Sequence, residues 1–370
     1  VPNLRFKEFQ GEWEEHLLGN ISDVTKLAGF EFTKYVTYED TGSIIAIRGL
    51  NCKNGSLDLR DVKYIDNSDF SKLSRSKLYV GDILYTYVGT VGEVAVVDKN
   101  DKYYLAPNVS RIRLSKDYNS DFMKQLLGSK KFYYKIVFPL IATSSQPALS
   151  MENLRRFKLK VPSIKEQKKI ASLFKAIDER IATQNKIIDK LQSLIKGIGK
   201  QLFMDNQNWR TVKIGELLRI GNGKDYKHLC IGKIPVYGTG GQMLLVNDYL
   251  YDGESVCIGR KGTIDTPMFL KGKFWTVDTL FYTYDFKDVL PKFCYYLFLQ
   301  INWKLYNEGT GVPSLSKSTI ENIKVKIPSL EQQQKICSIL DCYEHKTNNE
   351  EQILELYHSE KQYLLRQMFI

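Results

Sequence analysis

The chain has 370 residues, of which 43% are hydrophobic and 26% charged; that length accommodates two or three domains, each with its own core. This balance excludes a disordered or collagen-like chain, and no apolar run approaches the roughly 20 residues that a membrane span needs. The net charge of +11 suits a polyanionic partner such as nucleic acid.

Residues 1–162 open with Trp13 six positions before Gly19. Short β-type runs at 44–47, 81–86 and 94–97, separated by turn residues, and a helical stretch at 121–137 predict a mixed α/β domain. Its loops at 47–53, 87–92 and 143–146 carry Arg48, Asn51, Lys53, Thr90, Ser145 and Gln146. These side chains can bond base edges and phosphates, and the neighbouring glycines let backbone approach a ligand. They are the candidate DNA contacts of this block.

At Pro162 the period changes. Ser163 stands at an N-cap position after a proline, and Ile170, Phe174, Ile177, Ile181, Gln184, Ile188, Leu191, Ile195, Ile198 and Leu202 follow in alternating steps of three and four. This spacing predicts a helix over 163–204, weakened near its end by Gly197 and Gly199. Nine Lys or Arg against four Asp or Glu give residues 163–203 a charge of +5.

Residues 205–328 predict a second α/β domain, with Trp209 six positions before Gly215 and a helical stretch at 290–306. Segments at 237–241, 257–263, 274–279 and 308–311 read as loops and supply the candidate contacts Tyr237, Thr239, Arg260, Lys261 and Thr310, to which Lys224 is added. A second helix is predicted over 329–370, with Ile336, Leu340, Tyr343, Leu354, Tyr357, Leu364 and Met368 in phase but Thr347, Glu350 and Lys361 interrupting. It holds four Lys or Arg against seven Asp or Glu, so its charge of −3 favours antiparallel pairing with the first helix over self-pairing. The fold class is α/β, with two mixed α/β domains separated by two long helices in an antiparallel coiled coil.

One passage occurs twice, 166 residues apart: PALSMENLRRFKLKVPSIKEQKKI at 147–170 and PSLSKSTIENIKVKIPSLEQQQKI at 313–336. The same offset relates Gln201-Leu202-Phe203 to Gln367-Met368-Phe369. A period this long is too large for a solenoid and indicates two domains, each followed by a similar connector. The sequence contains no Asn/Asp-Pro-Pro-aromatic motif, no P-loop and no His/Cys/Asp cluster suited to metal hydrolysis. Six cysteines without a CxxC pair, and no charged-then-apolar leader, indicate reduced thiols in a cytoplasm, with no zinc or cofactor site in this chain.

Together, the doubled connector, the Trp-(5 residues)-Gly entry to each block and the long helix after each Val/Ile-Pro-Ser resemble the specificity subunit of type I restriction–modification systems, over almost the whole chain. Gly81-Asp82-Ile83-Leu84 and the passage 259–279 look like elements of that family's target recognition domains. The resemblance implies recognition domains at 1–162 and 205–328 and helical spacers at 163–204 and 329–370. Each domain would read half of an asymmetric bipartite site on double-stranded DNA. Two methyltransferase subunits would dock on the helices and methylate adenine with S-adenosylmethionine, and restriction/translocase subunits would use ATP and Mg2+. The chain itself would catalyse nothing. The family has no fixed base-reading residues, so the contact candidates rest on residue type alone. Three alternatives stand beside this reading: the specificity subunit of a type II (IIB/IIG-like) system, a standalone DNA-modifying enzyme, and a coiled-coil adaptor that does not bind DNA.

Overall fold

The computed structural model describes residues 2–53, 55–142, 146–204 and 208–369. The chain divides into two compact units, Val1–Gln184 with Ile353–Ile370, and Asn185–Gln352.

The first unit is built on a four-stranded antiparallel sheet in the order Ser22–Lys26, Val109–Leu114, Ile83–Thr86, Val94–Val96. The predicted runs at 81–86 and 94–97 are neighbours in it. The run at 44–47 forms Ile45–Ile47 in a separate sheet, parallel to Tyr103–Leu105 and antiparallel to Lys63–Tyr64. The expected helix at 121–137 is shorter. Ser120–Leu127, capped by the Asn119 side chain, ends at Gly128, and brief helical turns follow. A Cβ on Gly128 would lie 3.0 Å from the Lys124 carbonyl oxygen, so the chain turns tightly there.

The second unit repeats that strand order. Arg219–Asn222, Leu280–Tyr284, Tyr251–Gly259 and Met268–Thr276 run side by side and antiparallel. The sheet then continues through Ile231–Gly238, parallel to Met268–Thr276, into the edge strand Gly241–Val246. Residues 237–241, expected to be a loop, are therefore two strand ends and the tight turn between them, with Gly241 at φ +107°. Glycines inside strand sequence obscure the alternation that marks a strand. The predicted helix at 290–306 is Pro291–Gln300 followed by a single turn.

The duplicated text folds into the same frame in both units. Ser150 caps the short helix Met151–Arg155, and Ser316 caps Lys317–Asn322. The following strands, Lys158–Val161 and Lys324–Ile327, bury alternate residues and pair antiparallel with Glu14–Leu17 and Arg210–Lys213, which follow Trp13 and Trp209. The spacing from Trp to Gly now has a physical reason. A Cβ on Gly19 would sit 3.0 Å from Arg155 Cβ, and one on Gly215 3.0 Å from Glu321 Cβ, because both glycines pass close under the short helix. Arg155 and Glu321 are themselves 166 residues apart.

Helices Ile164–Met204 and Leu330–Met368 follow, uninterrupted by Gly197 and Gly199. In the first unit, Ile170, Phe174 and Ile177 near the start of one share a core with Leu365, Met368 and Phe369 near the end of the other. In the second unit, Phe203 shares a core with Ile336, Cys337 and Leu340. The helices are thus antiparallel in each. The interrupting Lys361 is satisfied across the seam by Asp178, 2.6 Å away. Phe369 packs against Trp13, Phe122 and Phe174, as Phe203 packs against Trp209 and Phe293, so each helix end plugs a domain core with the same aromatic. No helix among the described residues is long and apolar enough to cross a membrane.

Candidate nucleic-acid interface

Each unit's central strand ends in a glycine loop, and the duplicated connector grips that loop from below. In the first unit Gly89 N–H donates to the Pro147 carbonyl at 2.9 Å, and Leu149 N–H donates to the Tyr87 carbonyl at 2.8 Å. In the second, Gly262 N–H donates to the Pro313 carbonyl at 2.8 Å, and Leu315 N–H donates to the Arg260 carbonyl at 2.9 Å. Bridges between Val88 and Ala148 and between Lys261 and Ser314 complete the match. Since Pro147 corresponds to Pro313 and Leu149 to Leu315, residues 86–90 correspond one by one to residues 259–263. Both glycines are left-handed, with φ +78° at Gly89 and +94° at Gly262. Glycine adopts such a turn without the Cβ penalty of other residues.

The position before the loop solves one problem in two ways. Thr86 donates its hydroxyl to the Thr90 carbonyl, fixing the loop from inside. Its counterpart Gly259 has no side chain, and a Cβ there would lie 2.0 Å from the Thr263 carbonyl oxygen.

In the first unit, three candidates from the sequence meet. Arg48, Thr90 and Gln146 line a cleft of about 360 Å³, together with Tyr38, Gly89 and Asn108. The Arg48 guanidinium bonds the carboxylate and carbonyl of Asp61 at 2.8 and 3.0 Å, leaving it partly exposed. Burial raises the Tyr38 hydroxyl above its ordinary pKa, with the charge of Arg48 pulling it down, so the phenol is kept as a donor. Asn51 is fully buried and is not presented to a ligand. Its amide donates to the Asp58 and Asp61 carbonyls at 2.9 and 2.7 Å and its oxygen accepts from Arg48 N–H at 3.0 Å, so it shapes the loop that carries Arg48. Lys53 lies on the small hairpin Cys52–Lys53/Ser56–Leu57, 3.6 Å from Asp58, and does not line the cleft. Ser145 lies outside the described residues.

In the second unit the candidates gather around residues 276–279. Arg260 and Lys261 donate their N–H groups to the Thr279 carbonyl at 2.8 and 3.3 Å, and both side chains are exposed. Thr239 faces the same loop, its hydroxyl 3.7 Å from where a Gly262 Cβ would stand. Exposed Thr310 lies on a turn closed by Asn307, whose side-chain oxygen accepts from Gly309 and Ser314 N–H at 2.9 Å each. Ser314 in turn pairs with Lys261. Lys224 N–H donates to the Thr276 carbonyl, its own carbonyl accepts from the Trp275 indole at 2.8 Å, and the Tyr237 carbonyl accepts from Val277 N–H at 3.0 Å.

Sequence reasoning missed Tyr38, Asn108 and Thr263. Asn108 sits at φ +72°, a conformation Asn tolerates better than most residues, and no neighbouring signal in the sequence marks it. Thr263 was hidden because Gly262-Thr263 and Gly89-Thr90 stand at different distances before the shared prolines, and only the hydrogen bonds to those prolines bring them into register. Among the described residues no group of three or more His, Cys, Asp or Glu could hold a metal ion. Burial pushes the thiols of Cys52, Cys257 and Cys337 up to about 12, which suits packing and not nucleophilic chemistry.

The family model described as the type I restriction modification DNA specificity domain matches this chain twice, over residues 10–193 and 206–356. A Methanocaldococcus jannaschii protein named as a type I restriction enzyme MjaX specificity subunit is 23% identical over 412 aligned positions, spanning 94% of this chain and 91% of the relative. Among solved structures, the S subunit of a type I restriction–modification system from M. genitalium superposes with a TM-score of 0.63 at 17% identity, covering 100% of this chain and 99% of that one. A second structure, from work on complex assembly and conformational transition of the type I system, superposes at 0.59 and 14% identity over 97% and 98% of the two chains.

Proposed function

This chain belongs to the type I restriction–modification DNA specificity family, and we propose that it is the member of its complex that chooses the DNA sequence. Residues 1–162 and 205–328 act as two target recognition domains, each reading one half of an asymmetric bipartite site on double-stranded DNA. Residues 163–204 and 329–370 form the helical spacer that sets the interval between the halves, as subunit spacing does in dimeric DNA readers. The helices also dock two methyltransferase subunits, which bind S-adenosylmethionine and methylate an adenine flipped from each half. Restriction/translocase subunits bring ATP and Mg2+ to cut unmodified DNA. The chain makes and breaks no bonds itself and works in the cytoplasm.

One observation carries this reading: identical frames hold unlike loops. The same proline carbonyl and leucine amide support Tyr87-Val88 in one unit and Arg260-Lys261 in the other. A duplicated frame that holds a buried Tyr87 and an apolar Val88 in one unit and exposed Arg260 and Lys261 in the other lets each unit present its own polar groups, as reading two unlike half-sites requires. The net charge of +11 supplies the attraction to phosphate, which reaches the bases only through groups such as Arg48, Gln146, Arg260 and Lys261.

The test is to assemble the chain with its methyltransferase subunits and measure duplex binding between about 50 and 200 mM salt. Phosphate contacts predict that affinity falls by orders of magnitude over that range. Sequencing of methylated adenines should then return one bipartite motif. Weak affinity that ignores salt, together with scattered methylation, overturns the proposal.

A further inference from the structure

The two glycine loops differ in the three residues that lead into them and agree at the two that follow. Aligned through their shared proline clamp, Thr86, Tyr87 and Val88 of one loop stand against Gly259, Arg260 and Lys261 of the other, while Gly89-Thr90 stands against Gly262-Thr263. Both threonines are exposed, and among the described residues neither hydroxyl has a hydrogen-bond partner. Both are backbone-anchored: Thr86 bonds the Thr90 carbonyl, and Gly259 leaves only enough room for the Thr263 carbonyl. Each stands beside a cation, Thr90 with Arg48 in the cleft and Thr263 next to Arg260 and Lys261.

We infer that Thr90 and Thr263 are equivalent DNA-backbone contacts, each donating its hydroxyl to a phosphate oxygen, and that unlike polar groups near them, Arg48 and Gln146 in the first unit and Arg260 and Lys261 in the second, carry the base reading. This rests on the DNA-reading role proposed above. The chemical argument is one of shared and unshared demands. The halves of a bipartite site differ in bases and share only their sugar-phosphate backbone. A residue type kept in both loops, on a framework kept in both units, fits the shared feature; solvent-facing polar groups that differ between the units fit the unshared one. Threonine is a phosphate-contacting type, and a left-handed glycine immediately before it lets the loop backbone come close to the strand. The connector therefore has a second duty besides leading into the helix, since the Pro147 and Pro313 carbonyls fix where each threonine points its backbone.

Thr90→Val and Thr263→Val remove the donor while keeping the shape, and Thr90→Ser and Thr263→Ser restore it. The complex with methyltransferase subunits is titrated with the duplex it methylates and with an unrelated duplex of equal length. Each valine variant should bind both duplexes about tenfold more weakly, the loss expected for a hydrogen bond to a charged group. The ratio between the two duplexes and the methylated sequence should stay unchanged, and serine should recover most of the affinity. Valine variants that bind like the unsubstituted complex overturn the inference alone, as does a variant that alters which bases are methylated. An unsubstituted complex with no salt-dependent DNA affinity overturns this inference together with the reading beneath it.

Discussion

Gln167 and Gln333 show how one side chain ties a long helix to the domain it leaves. Gln167 donates to the Pro162 carbonyl at 2.8 Å and accepts from Asn119 N–H at 2.9 Å. Gln333 donates to the Pro328 and Asp288 carbonyls at 3.1 and 2.9 Å and accepts from Leu290 N–H at 2.9 Å. Asn119 and Leu290 are the residues that begin the domain helices Ser120–Leu127 and Pro291–Gln300, so the amide locks two helix starts together. Both glutamines are almost fully buried. Gln167→Leu keeps the bulk but strands a buried N–H and a buried carbonyl, at a cost of about 1–3 kcal/mol each. Urea unfolding should show a loss of about 2–4 kcal/mol for Gln167→Leu and a similar loss for Gln333→Leu; a variant as stable as the parent contradicts the role. The sequence showed that this glutamine recurs and not what it holds, because its partners are backbone groups whose residue types vary. Asn51 marks the opposite limit. Beside Arg48 on a glycine loop it reads as a base contact, yet it turns inward to bond the loop, and the choice depends on a backbone path that its neighbours do not spell out.

At the scale of elements, the helices were legible because a seam of alternating threes and fours matches the helical period and no strand period, whereas the strands of the second unit were hidden by their own glycines. The pairing of helix to domain depends on polar groups that periodicity does not reveal. In the second unit the Tyr296 hydroxyl, on Pro291–Gln300, donates to Asp341 at 2.6 Å and lies 3.1 Å from Glu344, both on Leu330–Met368. Lys292 reaches the same Glu344 at 2.6 Å. Burial, then the bond to Asp341, raises the Tyr296 hydroxyl above its ordinary value. Because the folded value exceeds the unfolded value of about 10, the stability it contributes is complete below pH 10 and is lost as pH climbs through the folded value. Tyr296→Phe should cost about 1–2 kcal/mol near neutrality, in the range for a hydrogen bond to a charged group that retains some solvent. The gap between parent and variant should narrow above pH 10. Thermal melts at pH 7 and at pH 10.5 check both parts, and a gap that widens in alkali contradicts the assignment.

For the whole molecule, the doubled passage gave away the two-part plan, while the likeness of the parts was concealed. Both units share the same four-strand order, and each adds a parallel pairing, Ile45–Ile47 with Tyr103–Leu105 in a separate sheet and Ile231–Gly238 with the fourth strand Met268–Thr276 itself, with little text in common. Such likeness lies in hydrogen-bond order, which many sequences satisfy, while the connector must meet particular partners and so kept its wording. This sets the terms for exchanging readers. Replacing residues 1–162 with another recognition domain should change one half of the methylated motif and leave the other half intact. The exchange has a structural condition, because Trp13 and Phe122 of the exchanged segment close on Phe369 at the far end of the chain, and Arg5 bonds the buried Glu166 at 2.7 Å. A donor that keeps an aromatic at both positions, a glycine six residues after the tryptophan, and a base facing Glu166 should fold and methylate. One lacking the base leaves a buried carboxylate without its partner and should fold poorly, and Glu166→Gln should rescue it, since the second unit already carries Gln332 at the matching position. Mapping methylated adenines in cells carrying each hybrid decides the matter: a motif altered in both halves, or in neither, contradicts independent readers on a shared frame.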